Sequence, residues 1–154
     1  SSCTDCTGVP NGDAIVDCTG TCDGFSVIDD CNVCNGDNSF CTGCMIENSD
    51  NYSSTYTIPN NESCFVSYQL TIQPIFDNNC TGCHGSSGGL NLSSYQSVMD
   101  GGEHGDVVIP NNSEESQLIE KLLPNPSFGD QMDYLSESMI NKISLWIDFG
   151  ALED

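Results

Sequence analysis

Three residues that can bind a metal or form covalent bonds lie within five positions of one another: Cys80, Cys83 and His84. Two thiols separated by two residues can each add to a vinyl group of a porphyrin, and the histidine that follows can ligate its iron. The spacing therefore predicts one covalently attached haem c. Cys80 and Cys83 are the expected attachment residues, and His84 is the expected proximal iron ligand.

The same residues have simpler interpretations. The two cysteines could form a disulfide, or half of a zinc site, but zinc would need a second pair of ligands. The only other histidine, His104, lies in a glycine-rich stretch, where we expect an exposed loop residue. Ligation of iron by His104 is the minority alternative.

Charge and cysteine content limit the partners and the compartment. Two lysines and 23 acidic residues give a net charge of −21, which repels nucleic acid and anionic lipid and favours a basic redox partner. No apolar run approaches the length of a membrane span. Eleven cysteines indicate an oxidising compartment. We therefore expect an exported chain, extracellular, at the cell surface or periplasmic, whose leader has been removed.

Residues 1–65 are rich in Cys, Gly and Asp and contain a repeat. Asn11-Gly12-Asp13, Asp23-Gly24-Phe25 and Asn35-Gly36-Asp37 recur every twelve residues, each after an Asp-Cys step. Asn-Gly and Asp-Gly favour tight turns. Because so little apolar surface is available, disulfides must stabilise this segment. The composition predicts an irregular domain with little regular secondary structure.

Nine cysteines lie outside the haem motif, so one of them cannot pair within the chain. Sequence does not settle the connectivity. The most economical pairing joins the second cysteine of one unit to the first of the next. It predicts the bonds Cys22–Cys31 and Cys34–Cys41, with Cys44–Cys64 closing a longer loop.

The aspartates of this segment raise calcium as a second cofactor, because carboxylates among turn carbonyls are its ligands. The EF-hand pattern is absent, however, and Asp and Asn also favour turns without any ion. Both interpretations stay open for the six candidates: Asp13, Asp17, Asp23, Asp29, Asp30 and Asp37.

Residues 66–154 contain the elements that must position the haem motif. Apolar periodicity predicts four helices, and the first leads directly into Cys80. Capping residues mark the starts of the later helices, and a glycine after a helix marks its C-terminal end. The predicted fold is mostly α, an all-helical domain around one haem. The predicted helices cover Tyr68 to Asn79, Ser94 to Met99, a stretch that starts at the capping-box-like run Asn112-Ser113-Glu114-Glu115 and continues through Leu123, and a last helix after Ser136.

Several sequence blocks carry a family resemblance. They are Gln73-Pro74-Ile75-Phe76, Gly88-Gly89-Leu90-Asn91-Leu92, Val107-Val108-Ile109-Pro110, Ser116-Gln117-Leu118 and the run from Leu145 to Ala151. With the haem motif, they make residues 66–154 resemble planctomycete-type, class I-like mono-haem cytochrome c domains. The resemblance implies an all-helical fold and a methionine as sixth iron ligand, in a Met-Pro-Pro loop before the last helix. The matching residue is Met132, which Asp133 and Tyr134 follow here in place of the prolines.

The first segment resembles Asp-Cys-x-Gly-x-Cys-x-Gly-Asp repeat arrays of marine bacterial surface proteins, which implies a spacer or presentation role. For the whole chain we expect an exported cytochrome that transfers single electrons through a His/Met-ligated haem. No Ser-His-Asp or paired-carboxylate pattern indicates an enzyme, and a haem enzyme or gas sensor would need an open sixth position. The alternative is a haem-bearing subunit of an extracellular filament, a homo-oligomer that conducts electrons between neighbouring copies.

Overall fold

The chain folds into two compact units, described here by a computed structural model for residues 3–85, 89–127, 129–132 and 135–154. The first unit comprises Ser1–Met45 and Ser53–Asn61, and the second comprises Ile46–Tyr52 and Glu62–Asp154. The predicted domains, 1–65 and 66–154, divide the chain at one point, whereas each of these units contains two segments.

In the first unit, one aspartate organises each twelve-residue repeat. The Oδ1 atom of Asp17 accepts hydrogen bonds from the backbone N–H groups of Thr19 and Thr21, both at 2.9 Å, and its Oδ2 atom accepts one from Ser26 at 3.2 Å. The same pattern recurs twelve residues earlier at Asp5 and twelve residues later at Asp29. The repeat is therefore a series of turns, each closed around a carboxylate.

The disulfides of this unit differ from the predicted ones. Cys6 bonds to Cys22 and Cys18 bonds to Cys34, each pair sixteen residues apart, so the predicted Cys22–Cys31 and Cys34–Cys41 bonds are wrong. The first cysteine of a twelve-residue repeat pairs with the second cysteine of the following repeat. In the third repeat the organising residue is Asp29, and Asp30 occupies the position equivalent to Cys18. The cysteine of this repeat comes one residue later and bonds over ten residues, as Cys31–Cys41.

The remaining cysteines outside the haem motif are in two states. Cys44 and Cys64 are both disulfide-bonded, the state predicted for each. Cys3 is exposed and has no disulfide partner, and the odd count of nine required one such residue.

Regular secondary structure is sparse in the first unit, as predicted. A 3₁₀ turn at Ser39–Cys41 leads into strand β1, Thr42–Gly43, which pairs in parallel with β2, Ile58–Pro59. Gly43 lies where a Cβ atom would overlap the ring of Tyr56, so the close approach requires glycine. Turns and disulfides, rather than a sheet, thus hold this unit together.

The second unit contains the longer helices. A 3₁₀ turn at Asn61–Ser63 precedes a π-type turn at Tyr68–Ile72, which continues directly into helix α1. Among the described residues 29% are helical and 8% are in strands or bridges, so the mostly-α prediction holds only loosely. The helices are α1, Gln73–Asn79; α2, Tyr95–Met99; α3, Gln117–Leu122; and α4, Glu137–Asp148.

These helices bury one apolar core. Trp146 and Phe76 are almost fully enclosed, and the ring of Tyr68 lies between them, with centroid distances of 5.3 Å to Trp146 and 6.5 Å to Phe76. The hydroxyl of Ser136 accepts a hydrogen bond from the Met139 N–H and caps α4, as predicted. Other core residues include Ile72, Leu92, Val98, Leu118, Ile119, Ile143 and Ile147.

Two features of this unit differ from the sequence expectations. The predicted helix from Tyr68 to Asn79 rests on apolar periodicity, yet Leu70 within it is 83% exposed. The third helix begins at Gln117 rather than directly after residues 112–115, although Asn112 Oδ1 accepts a hydrogen bond from the Glu115 N–H at 3.2 Å, as a capping box requires. No helix in the described ranges is long and apolar enough to cross a membrane.

Candidate functional site

The haem motif forms a helical turn that continues from α1. The N–H of Cys80 donates to the carbonyl of Phe76 at 2.8 Å, and the carbonyl of Cys80 then accepts from Cys83 at 3.1 Å and from His84 at 2.8 Å. Residues three and four apart in a helical turn lie on the same side. The motif therefore presents two thiols and one imidazole along one face.

The two thiols of the motif are not joined. Cys80 is half-buried and packs against the core, Cys83 is exposed, and both are free cysteines. Burial raises the pKa of the Cys80 thiol, which keeps it protonated at neutral pH and disfavours oxidation, since the thiolate is the reactive form. This arrangement differs from the disulfide interpretation and leaves both sulfurs available for thioether bonds.

His84 has a buried ring nitrogen that no described protein atom satisfies. Its Nδ1 atom is enclosed and has no hydrogen-bond partner, while its carbonyl accepts from the Leu92 N–H at 2.9 Å. A buried polar atom without a partner is costly, and a histidine that ligates metal uses both ring nitrogens, one for the metal and one for a hydrogen bond. The imidazole and the two free thiols together fit haem c.

The other metal interpretations gain no support. Within the described residues, no three His, Cys, Asp or Glu side chains form a group that could hold a metal ion. The carboxylates of Asp17 and Asp29 already accept backbone hydrogen bonds. Those of Asp30 and Asp37 accept from Asn38 and Ser39 respectively, and Asp13 and Asp23 belong to no such group.

Hydrogen bonding also changes the acidity of the repeat aspartates. The Thr19 hydroxyl, at 2.7 Å, is the main cause that lowers the pKa of Asp17 to about 2. Similar bonds lower the pKa values of Asp5, Asp29 and Asp37. The sequence showed the period of twelve, but the organising role of Asp5, Asp17 and Asp29 depends on backbone geometry that composition does not reveal.

Met132 lies in a loop that returns to α3. Its side chain is partly buried against the core, and its N–H donates to the carbonyl of Lys121 at 2.7 Å. Met99 and Met139 also pack against the core, but both lie within helices. Asp133 and Tyr134 lie outside the described residues. Met132 as the distal iron ligand stays a prediction.

His104 lies in an exposed turn, where a bridge joins Gly102 to Gly105. Its exposure agrees with the prediction of a loop histidine. A separate apolar groove of about 600 Å³, lined by residues that include Val66, Leu70, Trp146 and Phe149, contains none of the motif residues. The candidate site is therefore the turn after α1 rather than this groove.

Comparison with known proteins agrees with the resemblance seen in the sequence. Residues 80–127 match the family model described as Planctomycete cytochrome C. The match begins at the first cysteine of the motif and ends before Met132. No curated protein and no solved structure matches the chain. The family suggests haem-based electron transfer in general, and the match over residues 80–127 supports a planctomycete-type cytochrome c domain there.

Proposed function

We propose that this chain is an exported carrier of single electrons. Cys80 and Cys83 hold one haem c through thioether bonds, His84 is the proximal iron ligand and Met132 the distal one. The observation that carries the proposal is the turn after α1, where two free thiols and a histidine with an unsatisfied buried nitrogen share one face.

The protein would contribute the residues that hold and position haem c. The haem would supply an iron that gains and loses one electron, and a methionine ligand would raise its potential. The hydrogen bond from Leu92 to the His84 carbonyl fixes the backbone at the proximal ligand. The half-buried Cys80 joins the motif to the core. A rigid ligand set changes little between oxidation states, which suits electron transfer better than substrate turnover.

Intact-mass measurement tests the attachment. We expect the native protein to exceed its polypeptide mass by one haem, and Cys80→Ser and Cys83→Ser each to weaken or abolish attachment. Thr81→Ser is the matched control, because it changes the spacer between the two cysteines without removing a thiol. The proposal would be refuted by a protein that carries no haem and is two hydrogens lighter than expected with Cys80 and Cys83 as free thiols. That mass would indicate a Cys80–Cys83 disulfide.

Spectroscopy tests the distal ligand. A methionine–iron bond gives ferric haem a far-red charge-transfer band. We expect Met132→Leu to abolish that band and Met139→Leu, which also removes a partly buried sulfur next to the core, to preserve it. Loss of the band only in Met139→Leu would reassign the ligand, and bis-histidine spectra that persist in Met132→Leu would favour His104.

A filament subunit is the second candidate function. Several large apolar side chains of the first unit face solvent, among them Ile15 at 74%, Phe25 at 98% and Val27 at 70% exposure. Exposed apolar side chains in number favour association. Negative-stain microscopy of native material would separate the two candidates, since a carrier gives dispersed particles and a subunit gives ordered polymers.

A further inference from the structure

The chain lacks the prolines that follow the methionine in the related domains, but its methionine loop makes several hydrogen bonds to α3. Residues 129–132 contact the last turn of that helix through three groups. The N–H of Met132 donates to the carbonyl of Lys121 at 2.7 Å. The Gln131 side chain donates to the carbonyl of Leu122 at 3.2 Å.

The third contact comes from the side chain of Lys121. Its Nζ atom donates to the carbonyl of Asp130 at 2.5 Å, while the carbonyl of the same lysine accepts from Met132. One residue thus binds the loop at two positions, two residues apart. A hydrogen bond from a charged group is stronger than a comparable one between neutral groups, and this one adds a side-chain restraint to the backbone bond at Met132.

Gly129 permits this approach. Its φ of +60° lies in the left-handed region, and a Cβ atom there would come within 3.1 Å of the Lys121 Nζ atom. A larger residue would therefore be strained and would crowd the ammonium group. The glycine and the lysine act together, since the first allows the turn and the second closes it.

We propose that Lys121 is a positioning residue that holds the 129–132 loop on α3 and thereby keeps Met132 in place as the distal ligand. This proposal rests on the proposed function for the role of Met132. The hydrogen bonds to α3 replace, in this chain, the rigidity that consecutive prolines give a loop. Lys121 acts through Met132 and touches no reacting group.

The test compares variants of the only two lysines in the chain, in the native holoprotein. Lys121→Met removes the side-chain bond, Lys121→Arg retains a charged donor, and Lys142→Met is the control with the same loss of charge in α4. The first readout is hydrogen exchange at the Met132 N–H. The second is the denaturant concentration at which the far-red band disappears.

We expect Lys121→Met to speed exchange at Met132 about tenfold, in line with the loss of one charge-assisted hydrogen bond, and to lose the band at lower denaturant. Lys121→Arg should keep the wild-type exchange rate at Met132 and the wild-type denaturant concentration for loss of the band. Lys142→Met should leave the exchange at Met132 unchanged. Equal exchange at Met132 in Lys121→Met and Lys142→Met would overturn the proposal. A wild-type protein without the band would refute methionine ligation, and exchange at Met132 would still decide whether Lys121 holds the loop.

Discussion

Individual aspartates organise the first unit because a single carboxylate can replace several backbone partners. The Asp17 side chain accepts from three backbone N–H groups and one hydroxyl, in a unit too poor in apolar residues to form a conventional core. Charge-assisted hydrogen bonds of this kind favour the ionised carboxylate. The ionisation of Asp17 and the conformation of its turn are therefore linked.

This linkage predicts how acid acts on the repeat. The pKa of Asp17 is about 2 in the folded protein and 3.8 in a model peptide, so folding favours the charged form. Its stabilising contribution is complete above about pH 4 and is lost as the pH falls toward 2. NMR titration should show the Asp17 carboxyl and the Thr21 N–H changing together, with a midpoint near 2. Asp17→Asn should remove that transition, and a midpoint near 3.8 would contradict the linkage.

At the level of elements, each turn requires a glycine as well as the aspartate, because the carboxylate lies against the glycine backbone. A Cβ atom at Gly24 would overlap the carboxylate of Asp17, and Gly12 and Gly36 have the same relation to Asp5 and Asp29. Gly20 differs, because it has a positive φ but open space around it, and Asn32 occupies the equivalent position of the next repeat. The two glycine positions thus have separate physical requirements.

We expect Gly24→Ala to displace the Asp17 carboxylate and open its turn, so that dithiothreitol reduces the Cys18–Cys34 bond severalfold faster. Gly20→Asn is the matched control. Its Cys18–Cys34 bond should be reduced at the wild-type rate, since asparagine tolerates a left-handed conformation. Mass spectrometry of alkylated samples follows both reactions. Equal rates in the two variants would show that the carboxylate does not hold the turn.

Local features of these elements could be predicted from sequence, and features set by distant contacts could not. The helical turn at Cys80–His84 follows from the first predicted helix, which was expected to lead into Cys80, and the α4 cap follows from Ser136. The predicted Cys22–Cys31 and Cys34–Cys41 bonds were wrong because the first cysteine of a repeat pairs across to the second cysteine of the following repeat, a choice that spacing alone does not fix. The Lys121 contact with the Asp130 carbonyl was missed because a bond from a side chain to a backbone carbonyl nine positions away leaves no periodic signal in the sequence.

For the whole molecule, charge is the property that most constrains encounters with a redox partner. With 23 acidic side chains against two lysines, the field around the protein is negative at neutral pH. Such a field accelerates the approach of cations and slows that of anions. It extends about 30 Å at 0.01 M salt and only about 3 Å at 1 M salt.

Electron exchange with small metal complexes should therefore depend on ionic strength with opposite signs. Between about 0.01 M and 1 M salt, we expect stopped-flow rates with a cationic ruthenium ammine to fall and rates with ferricyanide to rise. The two probes control for each other, because any change in the protein itself would move both rates in the same direction. If neither rate changes, the exchange surface lies outside the field of these carboxylates, and a basic partner would gain no advantage from the charge of −21.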